Sequence, residues 1–151
     1  MPIHETFQDL SALGGLPVYV AICAMFFVTN NYNTFWQLVI AFIAVFGITV
    51  LTRLTHYTDR PEKQKFMTWY EKIDASSFPS LHAGRTAALA IIIGNFFMQN
   101  FYNMMGIDIL LITCVIAVCA MRMVLHRHYF TDVLFGVMIG AFVAVLTVLI
   151  V

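Results

Sequence analysis

Charged residues are scarce in this chain. Only 11% of its 151 residues are Asp, Glu, Lys or Arg, whereas a soluble globular protein usually carries about 25%. Apolar residues make up 61% of the sequence, and its mean hydropathy is +0.85. This composition leaves too little polar surface for a water-soluble fold and is too hydrophobic for a disordered chain. It therefore predicts an integral membrane protein built mostly of spanning helices.

An excess of basic charge is also missing. Eight Lys and Arg residues balance eight Asp and Glu residues, so no positive field attracts nucleic acid, and we expect no nucleic-acid partner. The three cysteines lie inside apolar runs, which is typical of small buried thiols and argues against a disulfide-rich scaffold. Residues 1–15 contain no Lys or Arg, so we expect no cleaved secretory signal.

Five apolar runs are each long enough to cross about 30 Å of hydrocarbon as a helix. They are apolar throughout and do not alternate with polar residues, which favours helices over the strands of a lipid-facing barrel. We therefore predict an all-α, multi-pass transmembrane bundle that forms a single domain over residues 1–151. Its five spans are expected at Leu10–Thr29, Phe35–Leu54, Leu81–Met98, Ile107–Met123 and Asp132–Val151.

The polar segments predict where a functional site lies. Ahead of the first span, Ile3, Phe7 and Leu10 recur at helical spacing, which suits a short helix in the headgroup layer or a frayed terminus. The long polar connection, residues 55–78, is expected outside the membrane over one face. If the five spans alternate in direction, fifteen of the sixteen charged residues lie at that face, and only Asp108 lies at the other. Ionisable groups at the ends of spanning helices indicate a functional site.

Three short motifs of basic, serine and histidine residues fall at helix ends on that face: Arg53-x6-Arg60-Pro61, Pro79-Ser80-Leu81-His82 and Arg122-x5-His128-x3-Asp132. Arginine side chains bind phosphate oxygens bidentately and stay charged. His128 and Asp132 are one helical turn apart, so we expect the carboxylate to accept a hydrogen bond from the imidazole. The other ring nitrogen would then be free to act as a nucleophile.

In order and spacing, these motifs resemble the signature of the type 2 phosphatidic acid phosphatase (PAP2) superfamily: Lys-x6-Arg-Pro, Pro-Ser-x-His and Ser-Arg-x5-His-x3-Asp. The resemblance implies a membrane lipid phosphatase that forms a phosphohistidine and needs no metal or other cofactor. It makes His128 the nucleophile, Asp132 the group that orients it, and His82 the general acid and base. The groups it assigns to the substrate phosphate are Arg53, Arg60, Ser80, Leu81 and Arg122. We expect Pro79 at the first helical position of the third span, with free N–H groups behind it.

The sequence departs from the family pattern at two positions. Arg53 stands where Lys is usual, which keeps the charge but changes the geometry of the donor, and Met121 replaces the Ser before Arg122. Among family substrates we favour a polyprenyl diphosphate, followed by phosphatidylglycerol phosphate and phosphatidic acid.

Several alternatives stay open. The same site would serve a lipid phosphotransferase, and a non-catalytic protein that binds anionic headgroups would need the same arginines. A metal site of His82, His126, His128 and Asp132 is disfavoured because the neighbouring arginines repel a cation. We expect His56, Arg85, His126 and Arg127 to serve structural or headgroup contacts.

The resemblance also favours an active site on the extracytoplasmic face of the cell membrane. All eight Lys and Arg residues lie at the active-site face of the predicted bundle, however, and the positive-inside rule would make that face cytoplasmic. The family resemblance and the charge distribution therefore favour opposite orientations.

Overall fold

The computed structural model describes residues 14–62, 66–101 and 105–151. In these ranges the chain forms helices joined by turns and loops, and no strand is present. The helices are α1 (Leu16–Val28), α2 (Tyr32–Thr55), α3 (Trp69–Ala75), α4 (Leu81–Asn100), α5 (Met105–Val124) and α6 (Phe130–Ile150). Helices α2, α4, α5 and α6 are long and apolar enough to cross a membrane. They match the second to fifth predicted spans, and the all-α membrane fold is confirmed.

The first predicted span is represented by a shorter helix. Helix α1 has 13 residues and begins after Gly15, with a proline in its first turn, whereas a full span needs about 20 residues. Gly15 is the N-cap residue, and Pro17 in the first turn is typical of a helix start. Residues 10–13 of the predicted span, and the predicted interfacial helix before it, lie outside the described residues.

The buried apolar core lies between α1, α2, α4 and α6. Its members are Tyr19, Phe26, Leu38, Ala41, Val45, Ala88, Leu89, Ile92, Val143 and Ala144. Helix α5 is more peripheral, because Val118 is its one buried residue. Large apolar side chains cover the outer surface of the bundle, as expected where lipid is the solvent.

Glycines bring α4 and α6 into close contact. A Cβ atom added at Gly140 would lie 2.8 Å from the carbonyl carbon of Gly84 and closer still to its oxygen. One turn earlier, a Cβ atom at Gly136 would lie 3.2 Å from the carbonyl carbon of Ser80. Small residues allow spanning helices to approach at backbone distance. This contact holds the start of α4 beside the start of α6.

Loops at one end of the bundle are tied together by backbone hydrogen bonds. The amide of Ser77 donates to the carbonyl oxygen of Thr58 at 2.8 Å, and the amide of Ser80 donates to that of Asp132 at 2.9 Å. The amide of Glu62 donates to the carbonyl oxygen of His126 at 3.1 Å. The first bond holds the α2–α4 segment together, and the other two connect it to α6 and to the α5–α6 loop, so residues far apart in sequence face one another.

Candidate active site

The three sequence motifs meet at this end of the bundle. Helix α2 contributes its last turn, α4 its first turn, α5 its last turn and α6 its first turn. The predicted site residues among them include five polar side chains that are at most 8% exposed: Arg53, Arg60, Ser80, His128 and Asp132. Burying this many polar and charged groups is unfavourable unless they are paired or bind a ligand, so their convergence indicates a binding site.

His128 is held with one ring nitrogen directed at the protein backbone. Its Nδ1 lies 2.7 Å from the carbonyl oxygen of Ser77. A carbonyl oxygen only accepts hydrogen bonds, so Nδ1 carries the proton and donates. In the neutral imidazole, Nε2 therefore keeps its lone pair, and it lies 3.5 Å from a guanidinium nitrogen of Arg122. Burial lowers the pKa of His128, with Arg122 and Arg60 acting in the same direction and Asp132 opposing them.

The expected hydrogen bond from His128 to Asp132 is replaced by another arrangement. Oδ2 of Asp132 lies 3.8 Å from Nδ1 of His128, which is beyond hydrogen-bond distance. The same oxygen accepts hydrogen bonds from the hydroxyl of Ser77 and, at 2.8 Å, from the amide of Tyr129. Asp132 lies in the first turn of α6, where a carboxylate satisfies a free backbone N–H, and the carbonyl oxygen of Ser77 is closer to the imidazole. The tautomer of His128 is thus set by the backbone carbonyl oxygen of Ser77. Asp132 contacts Ser77 through the serine hydroxyl.

Two of the site arginines are held by backbone carbonyl oxygens. Arg53 donates to the carbonyl oxygens of Pro79 at 3.0 Å and Ile73 at 3.3 Å, and Arg60 donates to that of Asp74. Nε of Arg53 is buried and has no hydrogen-bond acceptor among the described residues.

The arginines are also close enough to interact electrostatically. Arg122 interacts in this way with Arg60 and Arg53. Burial lowers the pKa of Arg60, and the Asp74 carboxylate opposes this shift. A bound anion would offset both the burial of these cations and their mutual repulsion.

The start of α4 adds hydrogen-bond donors. The helix begins at Leu81 with Ser80 as its N-cap residue. Pro79 therefore lies outside the helix, and the prediction that it is the first helical residue was wrong by two positions. The amide of Ser80 donates to the carbonyl oxygen of Asp132, and its carbonyl group packs on Gly136. Both contacts tie Ser80 to α6, and regular helix starts after it. The N–H groups of a first helical turn, which includes Leu81, have no partner within the helix. The Ser80 hydroxyl is buried without a hydrogen-bond partner among the described residues.

His82 lies in the first turn of α4 and faces the same cluster. It is partly exposed and interacts electrostatically with Arg122, His128 and Arg60. Its imidazole is therefore near His128 without being hydrogen-bonded to a described side chain, and it remains available to a ligand. The structure thus brings together the arginine, serine, histidine and aspartate residues of the three motifs.

Arg85 has a different partner. Its guanidinium donates to the carbonyl oxygen of Gly14 at 3.0 Å, so it connects α4 to the residues ahead of α1. This contact agrees with the structural role expected for it. Among the described residues, no three His, Cys, Asp or Glu side chains form a cluster that could hold a metal ion.

Ser77 is the site residue that the sequence reasoning missed. It is fully buried and contacts both His128 and Asp132. It belongs to none of the three motifs, and much of its contribution is a backbone carbonyl oxygen, which has no sequence signature. The sequence offered one signal that Ser77 belongs to the site: it lies two residues before Pro79, the first residue of the second motif.

Comparisons with known proteins identify the fold and the family of this chain. Aquifex aeolicus LpxE has a similar structure, with a TM-score of 0.77, 16% sequence identity, and coverage of 97% of this chain and 85% of that one. A transmembrane PAP2 type phosphatidylglycerolphosphate phosphatase from Bacillus subtilis gives a TM-score of 0.74, 24% identity, and coverage of 96% and 74%. No curated protein matches the sequence significantly. The PAP2 superfamily model matches residues 52–151, which include all three motifs. The chain therefore belongs to the PAP2 superfamily.

Proposed function

We propose that this protein hydrolyses a phosphate monoester or diphosphate carried by a membrane lipid, through a covalent phosphohistidine at His128. Its family membership makes it a phosphoric-ester hydrolase of the membrane. The observation that supports the finer proposal is the geometry of His128: Nδ1 is engaged by the Ser77 carbonyl oxygen, and Nε2 lies beside Arg122.

A lipid substrate is supported by where the site lies. The candidate residues lie at the ends of the spanning helices, so a phosphate bound there is at the level of lipid headgroups. A cavity of about 140 Å³ between α1, α4 and α5 is lined by apolar side chains and by Thr86. The Thr86 hydroxyl donates to the carbonyl oxygen of His82 at 2.8 Å. A few methylene groups of a lipid tail would fit in this cavity, one helical turn from His82.

The first step of the proposed reaction is attack by Nε2 of His128 on the phosphorus atom. A nitrogen–phosphorus bond forms, and the bond from phosphorus to the leaving oxygen breaks. His82 donates a proton to that oxygen, so the product leaves as an alcohol or a protonated monophosphate. Arg53, Arg60 and Arg122 neutralise the equatorial phosphate oxygens, which carry the charge in the transition state.

In the second step, His82 accepts a proton from water, and the resulting hydroxide attacks phosphorus. The nitrogen–phosphorus bond breaks, inorganic phosphate leaves, and both imidazoles return to their starting state. A phosphotransferase would differ only in replacing this water with an acceptor hydroxyl.

The substrate proposal follows the expectation from the sequence: a polyprenyl diphosphate is favoured, followed by phosphatidylglycerol phosphate and phosphatidic acid. We place the site on the extracytoplasmic face of the cell membrane, on the strength of the family resemblance. The loop of residues 55–78 supports this site from outside the membrane through Arg60 and Ser77.

The test is phosphate release by the purified protein in detergent from diphosphate and monophosphate lipids side by side. His128→Asn should lower kcat by at least 10³-fold, on the order seen when a catalytic nucleophile is removed. His126→Asn is the matched control, because His126 is exposed in the same loop and has a φ of 51° that Asn tolerates. We expect vanadate to inhibit and a chelator to have no effect.

Three results would contradict the proposal in different ways. Turnover by His128→Asn would refute the nucleophile, and a protein that binds these lipids without releasing phosphate would be a headgroup-binding protein. Phosphate that appears on an added acceptor instead of in solution would identify a phosphotransferase.

A further inference from the structure

We infer that Ser77 is a positioning residue for the reaction, which connects Asp132 to His128 through its own hydroxyl and its own carbonyl oxygen. The inference rests on the proposed role of His128 as the nucleophile. It adds a residue that lies outside the three motifs.

Ser77 uses every polar group it has. Its amide donates to the carbonyl oxygen of Thr58 at 2.8 Å, and its carbonyl oxygen accepts from Nδ1 of His128 at 2.7 Å. Its hydroxyl donates to Oδ2 of Asp132. The residue is 0% exposed, so water does not compete for these bonds, and Ser77 has one defined orientation.

The Asp132 carboxylate is tied to His128 by hydrogen bonds through this serine. Its Oδ2 accepts from Ser77 and from the amide of Tyr129, which holds the carboxylate 3.8 Å from Nδ1 of His128. Two hydrogen bonds through the hydroxyl and the backbone carbonyl of Ser77 therefore connect the carboxylate to the imidazole. If the hydroxyl were lost, the carboxylate and the carbonyl oxygen that faces His128 would no longer be tied together.

The chemistry makes this connection matter in the transition state. As Nε2 bonds to phosphorus, the imidazole ring gains positive charge, and the bond from Nδ1 to the Ser77 carbonyl oxygen becomes charge-assisted. The nearby Asp132 carboxylate stabilises the same charge. Both effects are stronger in the transition state than in the ground state, so loss of the Ser77 hydroxyl should lower kcat and leave KM nearly unchanged.

The experiment is a double-mutant cycle with Ser77→Ala and Asp132→Ala, measured as kcat on a lipid phosphate that the wild-type protein hydrolyses. Ser77→Ala should lower kcat about 10- to 100-fold, on the scale of a hydrogen bond to a charged group. In the Asp132→Ala background the same change should cost less than about 3-fold, because the hydroxyl has already lost its acceptor. A contribution of Ser77 that does not pass through Asp132 would give independent factors that multiply, and a contribution to folding alone would change the Tm without the drop in kcat at constant KM.

Ser76→Ala is the matched control. Ser76 is as buried as its neighbour, but its hydroxyl oxygen accepts only a 3.3 Å bond from the amide of Thr58. Its kcat should stay within about twofold of wild type, on the scale of one weak neutral hydrogen bond. If Ser77→Ala does not fold, Ser77→Cys replaces it in the cycle, because a thiol is nearly the same shape and a weaker donor.

The outcomes separate this inference from the proposed function. An active His128→Asn variant would overturn the proposed nucleophile. An inactive His128→Asn variant, together with wild-type kcat for Ser77→Ala or with multiplicative factors in the cycle, would overturn the role of Ser77 alone.

Discussion

Replacing Gly140 by alanine is expected to separate α4 from α6 and to disturb the active site from a distance. The new Cβ atom would lie 2.8 Å from the carbonyl carbon of Gly84, whereas ordinary contacts begin near 3.4 Å. The backbones must therefore move apart by at least about 0.6 Å, and by more to relieve the closer carbonyl oxygen. Overpacking of this kind costs about 1–3 kcal/mol, which corresponds to a decrease in Tm of roughly 2–12 °C for a chain of this size.

The activity should fall as well, because the same interface positions the site. One turn from Gly140, the start of α4 packs on Gly136, and the amide of Ser80 donates to the carbonyl oxygen of Asp132. Moving α4 away from α6 would displace His82 from His128. A misplacement of about 1 Å in a catalytic site can reduce the rate about 100-fold.

Thermal unfolding in detergent and phosphate release measure the two effects. Gly47→Ala is the matched control, since a Cβ atom at Gly47 has no atom within 4 Å, and it should keep the wild-type Tm or exceed it. If Gly140→Ala were as stable and as active as Gly47→Ala, the close α4–α6 contact and its role in positioning the site would be refuted.

Three further predictions concern the chemistry and the topology. Because the pKa of His128 is lowered, its imidazole stays neutral and nucleophilic at pH values below the ordinary histidine pKa of about 6.5. The acid limb of the pH profile of kcat/KM should therefore have its midpoint below about pH 6.5. A midpoint above that pH would contradict the prediction. His82→Ala should stall at departure of the leaving group, and an aryl phosphate with a good leaving group should partly restore the first step; no recovery would argue against an acid role. The topology can be tested with cysteines at Met67, a residue that is 96% exposed, and at Asn31, after replacement of the native cysteines. An impermeant thiol reagent on intact cells should label Met67→Cys but not Asn31→Cys. The reverse pattern would place the site in the cytoplasm.

Much of the architecture could be predicted because hydrocarbon imposes simple requirements on sequence. Runs of about 20 apolar residues must form helices, since backbone groups in lipid have no water to pair with, and α2, α4, α5 and α6 follow the predicted runs closely. The first run was different: within the described residues its helix begins only at Leu16, after Gly14 and Gly15 and with Pro17 in its first turn. These are local signals that a hydropathy average does not detect.

The candidate site was predictable to the extent that it depends on side-chain identity. Arg53, Arg122 and His128 could be placed together from the motifs and the alternation of the spans. The bond between Nδ1 of His128 and the Ser77 carbonyl oxygen could not, because any residue has a carbonyl oxygen. The i, i+4 spacing of His128 and Asp132 suggested a direct bond, but His128 precedes α6, so helical spacing does not apply to it.

The most direct test of the account is to trap the phosphorylated enzyme. Wild-type protein quenched under alkaline denaturing conditions during turnover of a labelled lipid phosphate should carry the phosphoryl group on His128, and His128→Asn should carry none. A phosphoryl group found on another residue, or full turnover by His128→Asn with no trapped intermediate, would contradict it.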